Sequence, residues 1–326
     1  MTDSPANPQP HLEALPDLTA SSSQTSPSIP EPPSLSKWFL GPEGLRPGWG
    51  FLLYLALGFA LMSGARFLLH PVMHRLTATL WRYLVQESAV LVSALVPAVA
   101  MSRIEKRPFG SYGLPARGAF GKAFAWGVVW GLVALSLLLL TLRGSGVFYF
   151  GSAALHGIRV IKFALFFALL FLLVAFFEEF LFRGYTLFTL SRGITFWPAA
   201  VGLSLLFGGV HLSNVGESWR GALSAALIGL FFCFTVRRTG NLWFAVGMHA
   251  SWDWAETYFY GVPDSGTTAP GHYLNASFHG PAWLTGGTVG PEGSVLVFVL
   301  IAAMFVVFQF MYPARDAEAS SANRSI

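Results

Sequence analysis

The sequence predicts an all-α fold, a polytopic transmembrane helical bundle of about eight spans. Composition gives the first reason: only 11% of the 326 residues are charged, against about 25% in soluble domains. Second, 54% are hydrophobic, with 30 Phe and 11 Trp, and the mean hydropathy is +0.56. Third, apolar runs recur at lengths near the roughly 20 residues that an α-helix needs to cross a ~30 Å hydrocarbon layer.

These runs lie near 49–69, 84–102, 120–142, 162–190, 195–212, 219–236, 241–260 and 294–312. The second carries Glu87 and Pro97 and has the weakest pattern. The fourth contains internal charge and is longer than one crossing needs. Residues 1–44 begin with a Pro- and Ser-rich acidic stretch ("SSSQTSPSIPEPPSLS") without the basic and apolar regions of a signal peptide, and are expected to be a disordered tail. Residues 45–313 are read as one membrane domain with a motif-bearing core at 160–260, and 314–326 as a short polar tail.

The formal net charge is +4, and the first 36 residues hold Asp3, Glu13, Asp17 and Glu31 with no Lys or Arg, so the rest carries +8. These basic residues are scattered through loops, which suits topology and excludes a nucleic-acid patch. The 103–119 loop holds Arg103, Lys106, Arg107 and Arg117, the 237–240 turn Arg237 and Arg238, and the tail Arg315 and Arg324; 261–293 has neither Lys nor Arg. The positive-inside rule then places both termini in the cytoplasm, although Arg66, Arg75 and Arg82 fall in a hairpin assigned to the other side. With Cys233 as the single cysteine, a disulfide framework or Cys-based metal site is excluded.

Charge inside an apolar span is costly and usually faces a bundle interior or cavity. The stretch "FFEEFLFRG" holds Glu178, Glu179 and Arg183; "LLFGGVHLSN" holds His211; "AVGMHASWDW" holds His249 and Asp253. Glu179 and Arg183 are i and i+4, one face of a helix, and can neutralise each other. Glu178 is rotated about 100° from Glu179 and is left without a partner in its own helix. His249 and Asp253 also share a face. At 1.5 Å rise per residue, Glu178 lies about 18 Å from position 190, His211 about 24 Å beyond 195 and His249 about 14 Å beyond 240, so tilt can bring them to one level.

Such a set suits two chemistries. Two His and a carboxylate can hold Zn²⁺ with a position open for water. Alternatively, a desolvated Glu can itself be the base that activates water while His polarises a carbonyl.

The runs "EEFLFR", "FGGVH" and "HASWD" resemble the EExxxR, FxxxH and HxxxN/D motifs of the CPBP (Abi) family, the CAAX-processing intramembrane endopeptidases and their bacterial relatives. The resemblance covers roughly residues 160–260, with all three motifs in order. It implies an intramembrane endopeptidase that hydrolyses a peptide bond in a membrane-associated substrate. Glu178, His211, His249 and Asp253 would form the active site, and Glu179, Arg183 and Phe207 would support it. Glu178, His211 and His249 would ligate a metal such as Zn²⁺ if one is bound. The best-known CAAX proteases have Asn where this chain has Asp253.

The implied partners are the lipid bilayer and a peptide or protein substrate, lipid-anchored in the CAAX case; the implied address is a bacterial inner (plasma) membrane. Two other classes compete. One is a non-catalytic scaffold, immunity or regulatory protein on the same fold. The other is a transporter built on intramembrane carboxylates, which leaves the His pair unexplained. Asn214 and Glu217 read as helix-start residues, His272 and His279 as solvated loop residues, His70 and His74 as interfacial, and Cys233 as core.

Overall fold

The computed structural model describes residues 36–42, 44–76 and 79–313; most of the expected N-terminal tail and the final polar tail lie outside them. Nine helices of ten or more residues carry the architecture: α1 Pro47–Arg75, α2 Thr79–Ile104, α3 Lys122–Gly144, α4 Ile158–Arg183, α5 Tyr185–Ile194, α6 Phe196–His211, α7 Trp219–Thr239, α8 Trp243–Asp253 and α9 Val295–Met311. Strand is confined to two-residue ribbons, of which Phe148–Tyr149 pairs antiparallel with Ser277–Phe278. The all-α expectation holds.

All eight expected runs are helical, and they differ in length. Among the described residues, five segments are long and apolar enough to cross a membrane: Pro47–Arg75, Leu80–Ile104, Lys122–Gly144, Ile158–Ile194 and Trp219–Thr239. Helices α6 and α9 are apolar but shorter. The seventh expected span divides into α8 and a π-helical turn, Trp254–Tyr260. The reason is burial. Nine of the eleven α8 residues are buried, so their extent follows the helices around them and not the lipid thickness. The long fourth run breaks at Gly184, where ψ is −120° and the chain leaves α4 to begin α5.

Lipid gives apolar helices no hydrophobic reason to associate, so close van der Waals packing has to hold them. The sequence "GVVWG" places Gly127 and Gly131 on one face of α3, against α8. A Cβ at 127 would stand 2.1 Å from the Phe244 carbonyl oxygen, and one at 131 would stand 2.1 Å from Ser251 Oγ. From the α8 side, a Cβ at Gly247 would meet the Phe124 carbonyl at 2.3 Å. Ser251 Oγ also donates to the Val128 carbonyl at 3.0 Å. The same device joins α6 to α7, where a Cβ at Gly208 would lie 2.3 Å from the Ala222 carbonyl. Outward residues such as Phe67 and Phe310, each 81% exposed, are what a lipid-facing surface requires. Five membrane-capable apolar helices and this surface make the chain an integral membrane protein.

Caps set the later helices. Ser218 Oγ accepts from Gly221 N at 3.2 Å to start α7, and Ser294 Oγ accepts from Leu296 N at 3.2 Å to start α9. The expected start residue Glu217 instead accepts the Ser218 N–H, at 2.7 Å, with its side chain on a cavity wall. His70 and His74 are exposed, Cys233 is buried, and His272 is half-buried, its Nδ1 donating to the Ala269 carbonyl at 3.0 Å.

Candidate active site

A cavity of about 560 Å³ opens between α2, α4, α6, α7, α8 and α9, and Glu178, His211, His249 and Asp253 all line it. Three separated segments are brought together because each is fixed by a neighbour. Helix α8 is pressed on α3 by glycine contacts, α6 is pressed on α7 by Gly208, and α4 is tied to α8 by hydrogen bonds.

The fixing begins with Arg183. It is fully buried and its Nη1 donates to Glu179 Oε1 at 3.0 Å, also fully buried. Its Nε and Nη2 have no hydrogen-bond partner. Aromatic faces serve in their place, with the guanidinium 4.1 Å from the Phe207 ring centre and 5.7 Å from those of Phe182 and Phe232. Gly229 makes room: a Cβ there would fall 2.3 Å from Arg183 Nη2.

Both imidazoles are held in the same tautomer. His249 Nδ1 lies 2.9 Å from Glu179 Oε1, and a carboxylate oxygen accepts, so Nδ1 carries the hydrogen. His211 Nδ1 lies 2.7 Å from the Phe207 carbonyl oxygen, which again only accepts. Each Nε2 is therefore a lone pair unless protonated. The Phe207 ring also stands edge-on to His211 at 4.5 Å, while Phe232 stacks on His249 at 5.7 Å.

His249 Nε2 faces two carboxylates, Asp253 Oδ2 at 3.4 Å and Glu178 Oε2 at 3.8 Å. A lone pair opposed to two carboxylates is repulsive. A proton on Nε2 or a cation between the three removes the repulsion. Ligands at about 2.0–2.1 Å around a tetrahedral metal stand about 3.4 Å apart. His249 Nε2 comes near that from each carboxylate, so the donor types suit a metal, but His249, Asp253 and Glu178 do not bring one ligand atom each within 4.8 Å of one another. A hydrogen-bonded carboxylate behind a ligating imidazole is also the usual arrangement at such centres. His211 faces the same cavity, but Glu178, His211 and His249 do not form a trio with all ligand atoms within 4.8 Å of one another, as Glu256, Asp264 and Glu292 do.

Sequence reasoning treated Glu179 only as a partner of Arg183; its bond to His249 is new. It also did not include Glu87, which lines the cavity from α2, although a lone carboxylate in an apolar run was the visible signal. The charged lining, with Glu217, Asp264 and Glu292 added, consists of carboxylates and imidazoles without Lys or Arg. Outside the membrane spans, the Glu217 carboxyl is raised above its ordinary value by burial, against the pull of the Ser218 N–H that it accepts.

This arrangement defines a class of protein: a helical membrane protein with a cavity inside the bundle lined by carboxylates and imidazoles. Residues 160–255, the segment that bears the three motifs, match the family model described as type II CAAX prenyl endopeptidase, Rce1-like, in agreement with the resemblance to the CAAX proteases. Neither the curated proteins nor the solved structures give a match. At the level of that family, the activity is that of a membrane endopeptidase.

Proposed function

We propose that the chain hydrolyses a peptide bond of a membrane-associated substrate inside the cavity, with Glu178 as the base that activates water. The observation that carries this reading is the placement of His249 Nε2 between Asp253 and Glu178 with its tautomer fixed by Glu179. Glu178 is the least enclosed of these, its side chain 24% exposed against 0% for Glu179, so water can reach it.

In the reaction, Glu178 takes one proton from water and the hydroxide adds to the scissile carbonyl carbon. His211 and His249, with a proton on Nε2, would donate to the oxygen that becomes negative. The C–N bond then breaks, and the proton held by Glu178 passes to the departing amine, leaving a carboxylic acid and an amine. A divalent metal held by Glu178, His249 and Asp253 or His211 would supply polarisation of the carbonyl and a water of lowered pKa. Asp253 in place of Asn adds negative charge to the set, which favours a cation or an imidazolium at His249.

The basic loops support cytoplasmic termini and the acidic leader a bacterial plasma membrane; cysteine accessibility on either side of vesicles tests the orientation. Activity is tested with a membrane-anchored reporter peptide in proteoliposomes. Glu178→Gln is expected to reduce cleavage by about 10²–10⁴-fold. Equal cleavage by wild type and Glu178→Gln would overturn the assignment, and absence of cleavage by wild type across a panel of anchored peptides would favour a non-catalytic scaffold.

A further inference from the structure

We propose that Glu256, Asp264 and Glu292 form a second site, on the wall of the same cavity but made of other residues than Glu178, His211, His249 and Asp253, for a divalent cation of the calcium class. Three segments supply it: the π-helical turn Trp254–Tyr260, the loop that follows, and the 3₁₀ turn Pro291–Gly293 ahead of α9. One ligand oxygen from each lies within 4.8 Å of the others.

Glu256 shows that the cluster is more than surface acidity. It is 0% exposed, and neither of its carboxylate oxygens receives a hydrogen bond of full geometry; the neutral indole N–H of Trp252, one turn away, is directed at it and brings no positive charge. A buried carboxylate in that condition is strongly disfavoured unless something positive completes it. The loop from 261 to 293 offers no Lys or Arg, and Arg220, which reaches this region, donates to the carbonyls of Gly293 and Ala282. Neighbouring donors hold the other two acids in place: Thr257 Oγ1 bonds Asp264 Oδ2 at 2.9 Å, and Ser265 N and Oγ bond Glu292 Oε2 at 3.3 and 3.0 Å. One proton would neutralise one of the three carboxylates; one divalent cation serves all three.

The donor set is oxygen alone, which selects hard cations. Oxygens within 4.8 Å of one another can all reach one cation at the roughly 2.3–2.6 Å of Ca–O bonds. A π turn that directs a side chain at a ligand is a recurrent use of this rare element. Bound there, the cation would join the end of α8 to the start of α9 and fix the cavity wall formed by Asp264 and Glu292.

The test is equilibrium dialysis of the full chain, chelator-stripped in detergent, against ⁴⁵Ca²⁺, with thermal unfolding measured alongside. One saturable Ca²⁺ per chain and a rise in Tm of several degrees at 5 mM Ca²⁺ are expected. Asp264→Asn with Glu292→Gln should weaken binding at least tenfold, and Glu178→Gln should leave it unchanged. The isosteric Glu256→Gln gives the same reading if the double variant does not fold. No saturable binding overturns the proposal, and so does binding that Glu178→Gln abolishes. An equal rise in Tm from Glu256→Gln without any cation would overturn it too, because a proton would then be sufficient.

Discussion

His249 turns its Nδ1 to Glu179 on another helix, 2.9 Å away, and its Nε2 to Asp253 one turn along its own, 3.4 Å away. Glu179 thus holds two cationic or donor groups at once, Arg183 and His249, through the same oxygen, Oε1. It is a joint between α4 and α8, and the two sides of the joint respond differently to substitution.

Glu179→Gln keeps the shape and an acceptor while removing the charge. Turnover is expected to fall about 10–100-fold, as when the partner behind a ligating imidazole is lost, with a modest loss of Tm. Glu179→Ala leaves the Arg183 guanidinium buried and uncompensated, a cost of about 3–5 kcal/mol. Thermal unfolding and cleavage on both variants separate orientation from folding; equal Tm for the two would contradict this division.

Gly229 carries no chemistry but limits the space around Arg183. Gly229→Ala puts a methyl 2.3 Å from Nη2 and 3.2 Å from the Phe207 ring. The expected cost is about 1–3 kcal/mol, and the displaced Phe207 should carry His211 with it, so cleavage falls as well. A variant with wild-type unfolding and turnover would show that the guanidinium has another place to go.

Gly131→Leu tests how α8 is seated. Its side chain would enter the space held by Ser251 Oγ and the Met248 carbonyl, at 2.1 and 2.3 Å from the Cβ. Backbone must move, so the expected outcome is loss of the folded species by size-exclusion chromatography. Gly144→Leu, with open space around it, is the control and should fold.

Glu217 sets a pH dependence of stability. Its folded carboxyl sits above the unfolded value of 4.5, so the native state holds the proton more tightly. Stability from this group is therefore greatest at and below pH 4.5 and declines as the pH rises through the folded value. Glu217→Gln should flatten that part of the Tm profile and raise Tm relative to wild type at neutral pH. The same slope in the variant would assign it elsewhere.

The cavity's charged lining also bears on the substrate. Carboxylates without a Lys or Arg repel a free peptide C-terminus. Reporter peptides with an amidated C-terminus are expected to be cleaved at least as fast as the free acids under the same conditions. A strong preference for the free acid would point to a cation in the cavity that reverses its field.

The helical class and the motif-bearing helices were legible because charge is conspicuous in apolar sequence, as at Glu178 and His211. The i,i+4 spacing was enough to pair Glu179 with Arg183. It could not show that Glu179 also meets His249, seventy residues away, because that contact depends on how α4 and α8 cross. Hydropathy does not tell lipid contact from contact with other helices, so it gave no sign that α8 is enclosed by its neighbours. The cluster at Glu256, Asp264 and Glu292 gave no signal: its members come from three segments, and only folding makes them neighbours.

The pairing of Glu179 with Arg183 has a consequence for biosynthesis. It is local to α4, so it forms as soon as that helix winds, before α6, α7 and α8 have been translated. The segment can therefore leave the translocation machinery with its most costly charges already matched. The tripartite constellation around Glu178 is assembled later, when the remaining helices arrive to receive it.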